Sequence, residues 1–299
     1  MQWLFLAIGS ALCLGFYDIS KKQSLQYNNV PTVLFLSVLV SSLLLLPFLL
    51  VSRLAPSLLA DTLLYVPKVD MHTHLLIFLK SCIVLLSWGL VYCAMQRLPL
   101  TVVSPITATR PMWTLLGALL LFGERLNGWQ WVGVSVAIVS FLLFSYAGRK
   151  DTSGELDHKY IILLLLGTLW GSASGLYDKY LMHSLNHAAV QVYYTFYQTL
   201  LMGIVCLVIA IKNGQWRQSV RSKSWIVGIS GFLILSDFLY LVALSYPDSM
   251  ISIISLLRRG GVIIPFIYGA VFLHEKNLRW KTICLIGVFL GMLCLVIAC

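Results

Sequence analysis

The tetrapeptide GFYD at residues 15–18 returns 160 positions later as GLYD at residues 175–178. In both copies it lies within a long apolar run, so that an ionisable carboxyl group falls inside a hydrophobic segment. Self-similarity of this kind indicates an internal structural repeat. The two tetrapeptides therefore predict a chain built from two copies of one unit.

The composition around this repeat is that of a membrane protein. Of the 299 residues, 59% are hydrophobic and only 11% are charged. The mean hydropathy is +0.88. Because an average soluble domain carries roughly a quarter charged residues, this composition excludes an ordinary cytoplasmic enzyme, a disordered protein and a secreted disulfide scaffold. We predict an all-α integral membrane protein.

The apolar runs predict how many helices cross the bilayer. A spanning helix needs about 20 apolar residues, and the chain offers ten runs near that length. They cover residues 3–20, 31–51, 75–96, 101–122, 128–146, 160–182, 188–211, 224–246, 249–273 and 278–298. The polar stretch 148–159 at the midpoint reads as a linker between a first unit, 1–147, and a second unit, 160–299.

Further matches support two units of five helices each. Tyr92 and Pro99 match Tyr240 and Pro247, and Glu124 matches Glu275. Because five is an odd number, the second unit enters the membrane from the side opposite to the first. Such inverted repeats are typical of transporters, which bind substrate between the two halves.

Charge and cysteine content predict few other partners. The formal net charge is +10, but the basic residues lie mostly in short loops, where they set topology and contact lipid headgroups. We therefore expect the lipid bilayer as a partner and no nucleic acid. The seven cysteines include no CxxC pair, and the sequence predicts no metal site and no cofactor.

Two segments also resemble a known family. The segment LFGERL at 121–126, followed by WVG at 131–133, resembles the end of the fourth helix and the start of the fifth in EamA-like domains of the drug/metabolite transporter superfamily. FLHEKN at 272–277 resembles the same element in a second such domain. Pro111 fits the family's fourth-helix proline, whereas Pro265 departs from its spacing. The resemblance implies ten helices in a 5+5 inverted repeat and carrier-type transport of small metabolites. Because the sequence offers no covalent chemistry and no cofactor motif, we expect a protein of the cell membrane that is not an enzyme.

Small residues and two glutamates have structural interpretations. A small residue recurs at every fourth position in the first and sixth helices, which allows close helix packing. These residues are Ala7, Ala11 and Gly15 in the first helix, and Gly167, Gly171 and Gly175 in the sixth. Glu124 and Glu275 end the fourth and ninth helices, where we expect each to cap or pair locally and to hold the following turn.

Charged residues inside membrane helices are rare and suggest function. Six such residues are candidates for substrate binding or coupling: Asp18, Arg110, Asp178, Asp237, Arg258 and Arg259. They either form buried ion pairs or line the central cavity. A carrier can also use an aspartate to bind a proton, so protons are a candidate coupling ion, with Asp178 preferred over Asp237 as the proton site.

Three arginines against three aspartates suggest a small polar substrate that carries negative charge or both signs, such as an amino acid or organic acid. Efflux of hydrophobic or cationic compounds is the alternative within transport. A membrane enzyme or a scaffold subunit without transport activity is the alternative from another class. The sequence makes no prediction of oligomeric state.

Orientation is predicted in two conflicting ways. With an even number of helices, both termini lie on the same face, which the family resemblance implies to be cytoplasmic. That face would then hold few basic residues, and the positive-inside rule favours the reverse. The few are Arg53, Lys68, Lys80, Arg125 and Lys179.

Overall fold

The computed structural model of the chain describes residues 2–25, 28–95, 106–107, 109–147, 158–213, 223–272 and 278–297. Within these ranges the regular secondary structure is helical throughout. Six helices are long and apolar enough to cross a membrane, and further apolar helices are shorter. The predicted all-α class is confirmed, and the chain is a multi-pass integral membrane protein.

We number the α-helices in chain order. They are α1 (Gln2–Leu25), α2 (Val30–Leu54), α3 (Met71–Met95), α4 (Arg110–Leu121), α5 (Gly128–Ala147), α6 (His158–Ser184), α7 (His187–Asn213), α8 (Lys223–Ser245), α9 (Ile251–Arg259), α10 (Ile263–Phe272) and α11 (Leu278–Ile297). Short 3₁₀ turns cover Pro56–Leu58 and Gly260–Val262. Of the predicted linker 148–159, residues 148–157 lie outside the described residues.

The apolar run 249–273, predicted as one helix, is broken. Helix α9 ends at Arg259, and the 3₁₀ turn Gly260–Val262 separates it from α10. Glycine is a poor helix former, and at Gly261 it is also required sterically. A Cβ atom there would overlap the carbonyl oxygen of Ala11 in α1, while a Cβ on Gly15 would lie 2.6 Å from the carbonyl oxygen of Gly261. The two backbones touch where the helix breaks.

Helices from the two halves of the chain pack against one another. Helix α1 packs on α8, and α3 packs on α6. In the same way α2 packs on both α7 and α8, α3 packs on α7, and α5 packs on α11. Helix α4 contacts α6 and α9, and α1 contacts α9 and α10. Few of these contacts join neighbours in sequence, so the two halves interleave.

Small residues mediate several of these contacts. Ser10 in α1 donates to the carbonyl of Ser236 in α8 at 2.8 Å, and Ser236 donates to the carbonyl of Ser10 at 2.9 Å. Between α5 and α11, a Cβ on Gly133 would lie 2.8 Å from the carbonyl oxygen of Gly291. Membrane helices rely on such close backbone approach because lipid gives them little hydrophobic drive to associate.

The surface and the interior reverse the pattern of a soluble protein. Large apolar side chains such as Phe5 and Leu120 are 74% and 84% exposed, as expected of a surface covered by lipid. Polar groups such as Asp178 and Gln198 are buried inside. This interior polarity forms the site described next.

Candidate substrate cavity

A central cavity of about 320 Å³ lies among helices from both halves of the chain. All six charged residues predicted from the sequence line it, together with two lysines that were not among them. The charged lining is Asp18, Lys21, Lys80, Arg110, Asp178, Asp237, Arg258 and Arg259. Pockets for small ligands fall in roughly this range, about 300–1,000 Å³. The volume therefore fits a small metabolite.

The first ion pair joins the two halves across the cavity. The Nζ atom of Lys80 in α3 lies 2.8 Å from Oδ1 of Asp178 in α6, and the two side chains are 6% and 10% exposed. The ammonium group also lies 4.4 Å from the centre of the Tyr194 ring. In the orientation count Lys80 is one of the basic residues of the face that holds the termini, whereas the structure places it within α3 and in the lining of the cavity. The sequence feature that could have identified Lys80 as a cavity residue is that it is a single charged residue inside an apolar run.

The second ion pair lies within the second half. Arg258 in α9 donates to Oδ1 of Asp237 in α8 at 2.9 Å. Its guanidinium group also lies 4.0 Å from the centre of the Tyr240 ring. Asp237 therefore pairs with an arginine, whereas Asp178 pairs with a lysine, and both pairs also line the cavity.

Arg110 lies at the start of α4 and is held by α6. Its Nη2 donates to the carbonyl oxygen of Gly171, and the backbone carbonyl of Arg110 accepts a hydrogen bond of 3.0 Å from Ser172. A Cβ on Gly171 would lie 2.7 Å from the Cζ atom of Arg110. The missing side chain at Gly171 therefore leaves room for a guanidinium group.

The remaining charges lie toward the end of the cavity where α1 finishes. Asp18 is one turn from Lys21 in α1 and lies within electrostatic range of both Lys21 and Arg259. A second cavity of about 230 Å³ adjoins the first here, and Lys21, Arg110 and Arg259 line both. The central cavity thus continues toward this end through a basic passage.

At the opposite end of the cavity, polar contacts join neighbouring elements. Lys179 near the end of α6 donates to the carbonyl oxygen of Ser249 at 2.7 Å and to its hydroxyl at 2.6 Å. Tyr177 donates to the carbonyl of Leu76 in α3 at 3.1 Å. These bonds join α6 to α3 and to the turn before α9.

Glu124 makes a longer-range contact than the local one expected. Gly123 has φ of 62°, the left-handed conformation that ends a helix, and the turn aims Glu124 at α9. Its carboxylate accepts from the backbone N–H of Ile251 at 2.6 Å and from both the N–H and the hydroxyl of Ser252. Glu124 therefore caps a helix of the other half. Glu275 lies outside the described residues.

The small residues predicted to pack have different surroundings. Ala7 and Ala11 are buried, and Gly15 meets the break between α9 and α10. A Cβ on Gly167 would lie 2.8 Å from Val91 in α3. Gly175, by contrast, lines the central cavity, and only the Tyr240 hydroxyl lies near the position of its missing Cβ. Its small size widens the cavity.

A side chamber of about 20 Å³ adjoins the cavity, with Tyr194 and Asp237 in the lining of both. Ser41 and Gln198 line it, and in the part of the chain described here neither the Ser41 hydroxyl nor either amide atom of Gln198 has a hydrogen-bond partner. A chamber of this size holds about one water molecule. No group of three or more metal-ligating side chains occurs among the described residues.

Comparison with known proteins agrees with this architecture. The model of the EamA-like transporter family matches residues 1–146. A solved structure described only as "Crystal structure of protein" superposes with a TM-score of 0.72 at 11% identity, and the alignment covers 99% of this chain and 96% of that one. This similarity shows a shared fold. A search of curated proteins gives no match. The resemblance to EamA-like domains that the sequence predicts is therefore confirmed over residues 1–146.

Proposed function

We propose that the protein is a carrier of the cell membrane that moves a small, negatively charged or zwitterionic metabolite by alternating access. In this proposal ten spanning segments form two inverted units of five. The units are α1 to α5 and α6 to α11, with α9 and α10 together forming the ninth segment. The observation that carries the proposal is the shared cavity, in which charged residues from both units converge.

The helix contacts support the repeat. If α1 corresponds to α6 and α3 to α8, the contact of α1 with α8 has its counterpart in the contact of α3 with α6. Likewise, the contact of α2 with α8 corresponds to that of α3 with α7, and the contact of α4 with α6 corresponds to that of α1 with α9 and α10. Such pairing is expected of a two-fold relation between units.

Contacts near the α8–α9 turn support the inverted direction. Tyr246 donates to the side chain of Gln2, at the start of α1, at 3.0 Å. Ser249, three residues later, accepts from Lys179 near the end of α6. The first helix of one unit therefore begins at the end of the molecule where the first helix of the other unit finishes. Inverted units of this kind rock about a site between them.

The charge of the cavity favours an anionic group on the substrate. Five basic side chains and three acidic ones line it, a formal surplus of two positive charges. Efflux of cations is less compatible with this lining. The faces of Tyr194 and Tyr240, which could bind a ligand cation, already contact Lys80 and Arg258.

Flux into proteoliposomes tests the carrier. Amino acids and organic acids should enter or exchange, whereas organic cations should not. Arg258→Ala should abolish flux while the protein still inserts and stays monodisperse. Arg125→Ala is the matched control, because Arg125 is exposed and does not line the cavity. Absence of flux for every metabolite class would support a scaffold or an enzyme instead.

Protons are the proposed coupling ion. Protonation of Asp178 or Asp237 would dissolve its ion pair and release Lys80 or Arg258. A carrier that alternates between paired and protonated forms would respond to a pH gradient. We expect wild-type flux to follow an imposed gradient and Asp178→Asn to lose this dependence while exchange continues, with Asp237→Asn as the comparison. Flux that ignores the gradient in the wild type would contradict proton coupling.

A further inference from the structure

The charges that line the cavity divide into matched and unmatched groups. Asp178 pairs with Lys80, and Asp237 pairs with Arg258. Asp18 lies one turn from Lys21 on the same helix and within electrostatic range of both Lys21 and Arg259. It can balance only one of these two charges, and Arg110 has no ion pair among the described residues. The two surplus positive charges therefore lie among Lys21 and the two arginines Arg110 and Arg259.

These two arginines occupy one place in the molecule. Both line the central cavity and the adjoining second cavity, so they stand where the two meet. They lie within electrostatic range of each other. Among the residues that the structure describes, neither guanidinium group has a carboxylate within ion-pair distance. Arg110 is oriented by the carbonyl oxygen of Gly171, a neutral acceptor that leaves its charge uncompensated.

Two unpaired cations inside a membrane protein require a compensating charge. An ionised side chain removed from water is costly unless an opposite charge and hydrogen bonds replace the lost solvent. Among the described residues that line the cavity, Asp18 is the one carboxylate outside the two ion pairs, and a single carboxylate cannot balance Lys21, Arg110 and Arg259 together. A guanidinium group presents a planar fork of donors that fits a carboxylate or phosphate with two parallel bonds. Two such groups at one place fit a ligand with two negative charges.

Building on the proposed carrier function, we propose that the substrate is a dianion, a small dicarboxylate or a phosphate monoester, and that Arg110 and Arg259 bind its charged groups. One dianion neutralises the surplus of the cavity completely, whereas a monoanion leaves one arginine uncompensated. The binding of a dicarboxylate would engage one arginine at each end, and that of a phosphate monoester would engage both at one group.

The test measures binding directly, so that it does not depend on transport. Purified full-length protein in detergent is titrated calorimetrically with succinate, glycerol 3-phosphate, lactate, alanine and putrescine. We expect a dianion to bind at least about tenfold more tightly than lactate, alanine or putrescine, since each tenfold step corresponds to one additional modest charged interaction. Comparison of succinate with glycerol 3-phosphate identifies which dianion class is bound.

Variants assign the binding to the two arginines. Arg110→Gln and Arg259→Gln should each weaken dianion binding about 10- to 100-fold, the range expected for loss of a charge-assisted bond. Each should also shift the preference toward lactate, because one surplus charge remains. Arg125→Gln removes the same charge outside the cavity and should leave the affinities unchanged. Should a Gln variant fail to fold, Arg110→Lys and Arg259→Lys serve instead. They keep the positive charge but lose the planar fork of donors of the guanidinium group, so they should also weaken dianion binding.

The outcomes separate this inference from the carrier proposal. Equal affinity for lactate and succinate, or dianion binding that ignores both arginines, overturns the dianion site even if flux of another metabolite is measured. Tight, arginine-dependent dianion binding without any flux in proteoliposomes supports the site and overturns the carrier.

Discussion

Single side chains determine how the charge of the cavity is balanced, and the Lys80–Asp178 pair is the most deeply buried contact of this kind. The side chains are 6% and 10% exposed, against 18% and 29% for Arg258 and Asp237. The Lys80 and Asp178 atoms are in ion-pair contact without a well-aligned hydrogen bond. Removal of one partner from such a pair leaves a buried charge without compensation.

We therefore predict that Lys80→Met lowers the free energy of unfolding by about 3–5 kcal/mol, as measured for broken buried pairs. The double variant Lys80→Met/Asp178→Leu should recover most of that loss, because an apolar pair of similar size replaces both charges. Unfolding in detergent micelles measures both. Arg258→Met should lower the free energy of unfolding by less, because the Arg258–Asp237 pair is more exposed. If the double variant does not recover the stability lost in Lys80→Met, the stabilising ion pair is contradicted.

At the residue scale, sequence reasoning could find charges but not their partners. Asp18, Asp178, Asp237 and the arginines stand out because each interrupts an apolar run. Which carboxylate meets which cation depends on the packing of helices distant in sequence, such as α3 on α6. A repeat detected by identity at 15–18 and 175–178 carries no information about Lys80.

At the scale of elements, the glycines differ in which neighbouring group occupies the space that a side chain would need. A Cβ on Gly261 would overlap the backbone carbonyl of Ala11, which cannot move without shifting α1. A Cβ on Gly171 would lie 2.7 Å from the end of the Arg110 side chain, which can rotate away. The same substitution thus meets a rigid neighbour in one place and a flexible one in the other.

We predict that Gly261→Ala destabilises the protein by about 1–3 kcal/mol, the usual cost of overpacking. Gly171→Ala should leave stability nearly unchanged and weaken anion binding by displacing Arg110. Thermal unfolding and succinate titration of the two variants check this contrast. Retained anion binding in a folded Gly171→Ala variant would show that Arg110 does not need its present position.

The contact of Glu124 with α9 is the second feature at this scale. The position of Glu124 at the end of its helix predicts a local cap or pair that holds the turn into the next helix. The carboxylate instead bonds the first N–H groups of α9 in the other half. A residue at the end of one helix can cap another whenever the tertiary fold brings the two ends together, and sequence spacing does not report this.

We predict that Glu124→Ala lowers the free energy of unfolding by about 1–2 kcal/mol, the cost of losing a good helix cap. Glu124→Gln should cost less, since its amide oxygen still accepts one hydrogen bond. Unfolding of the two variants beside Arg125→Ala, which alters the neighbouring exposed residue, measures the effect. Equal stability of the Ala variant and the wild type would mean that α9 does not depend on this cap.

At the scale of the whole molecule, the cavity has a different connection to each end. At the end where α1 begins, the bond of Lys179 to Ser249 and the cap of Glu124 on α9 join elements to one another. Toward the other end, the second cavity extends along Val91 and Thr168. The lengths of the apolar runs predict helices, but where the cavities extend depends on how the helices pack in the conformation adopted, and this has no signature in a single sequence.

Accessibility of single cysteines tests this arrangement. In a variant whose native cysteines are replaced, a cysteine at position 2 and one at position 299 should react with an impermeant reagent from the same side, because an even number of spans returns the chain to that side. A cysteine at Thr168 should react from the opposite side, through the second cavity. A dianion that stabilises the other conformation of an alternating carrier should slow that reaction. Labelling of positions 2 and 299 from opposite sides would contradict the ten-span arrangement. Labelling of Thr168→Cys from the side of the termini would contradict access through the second cavity.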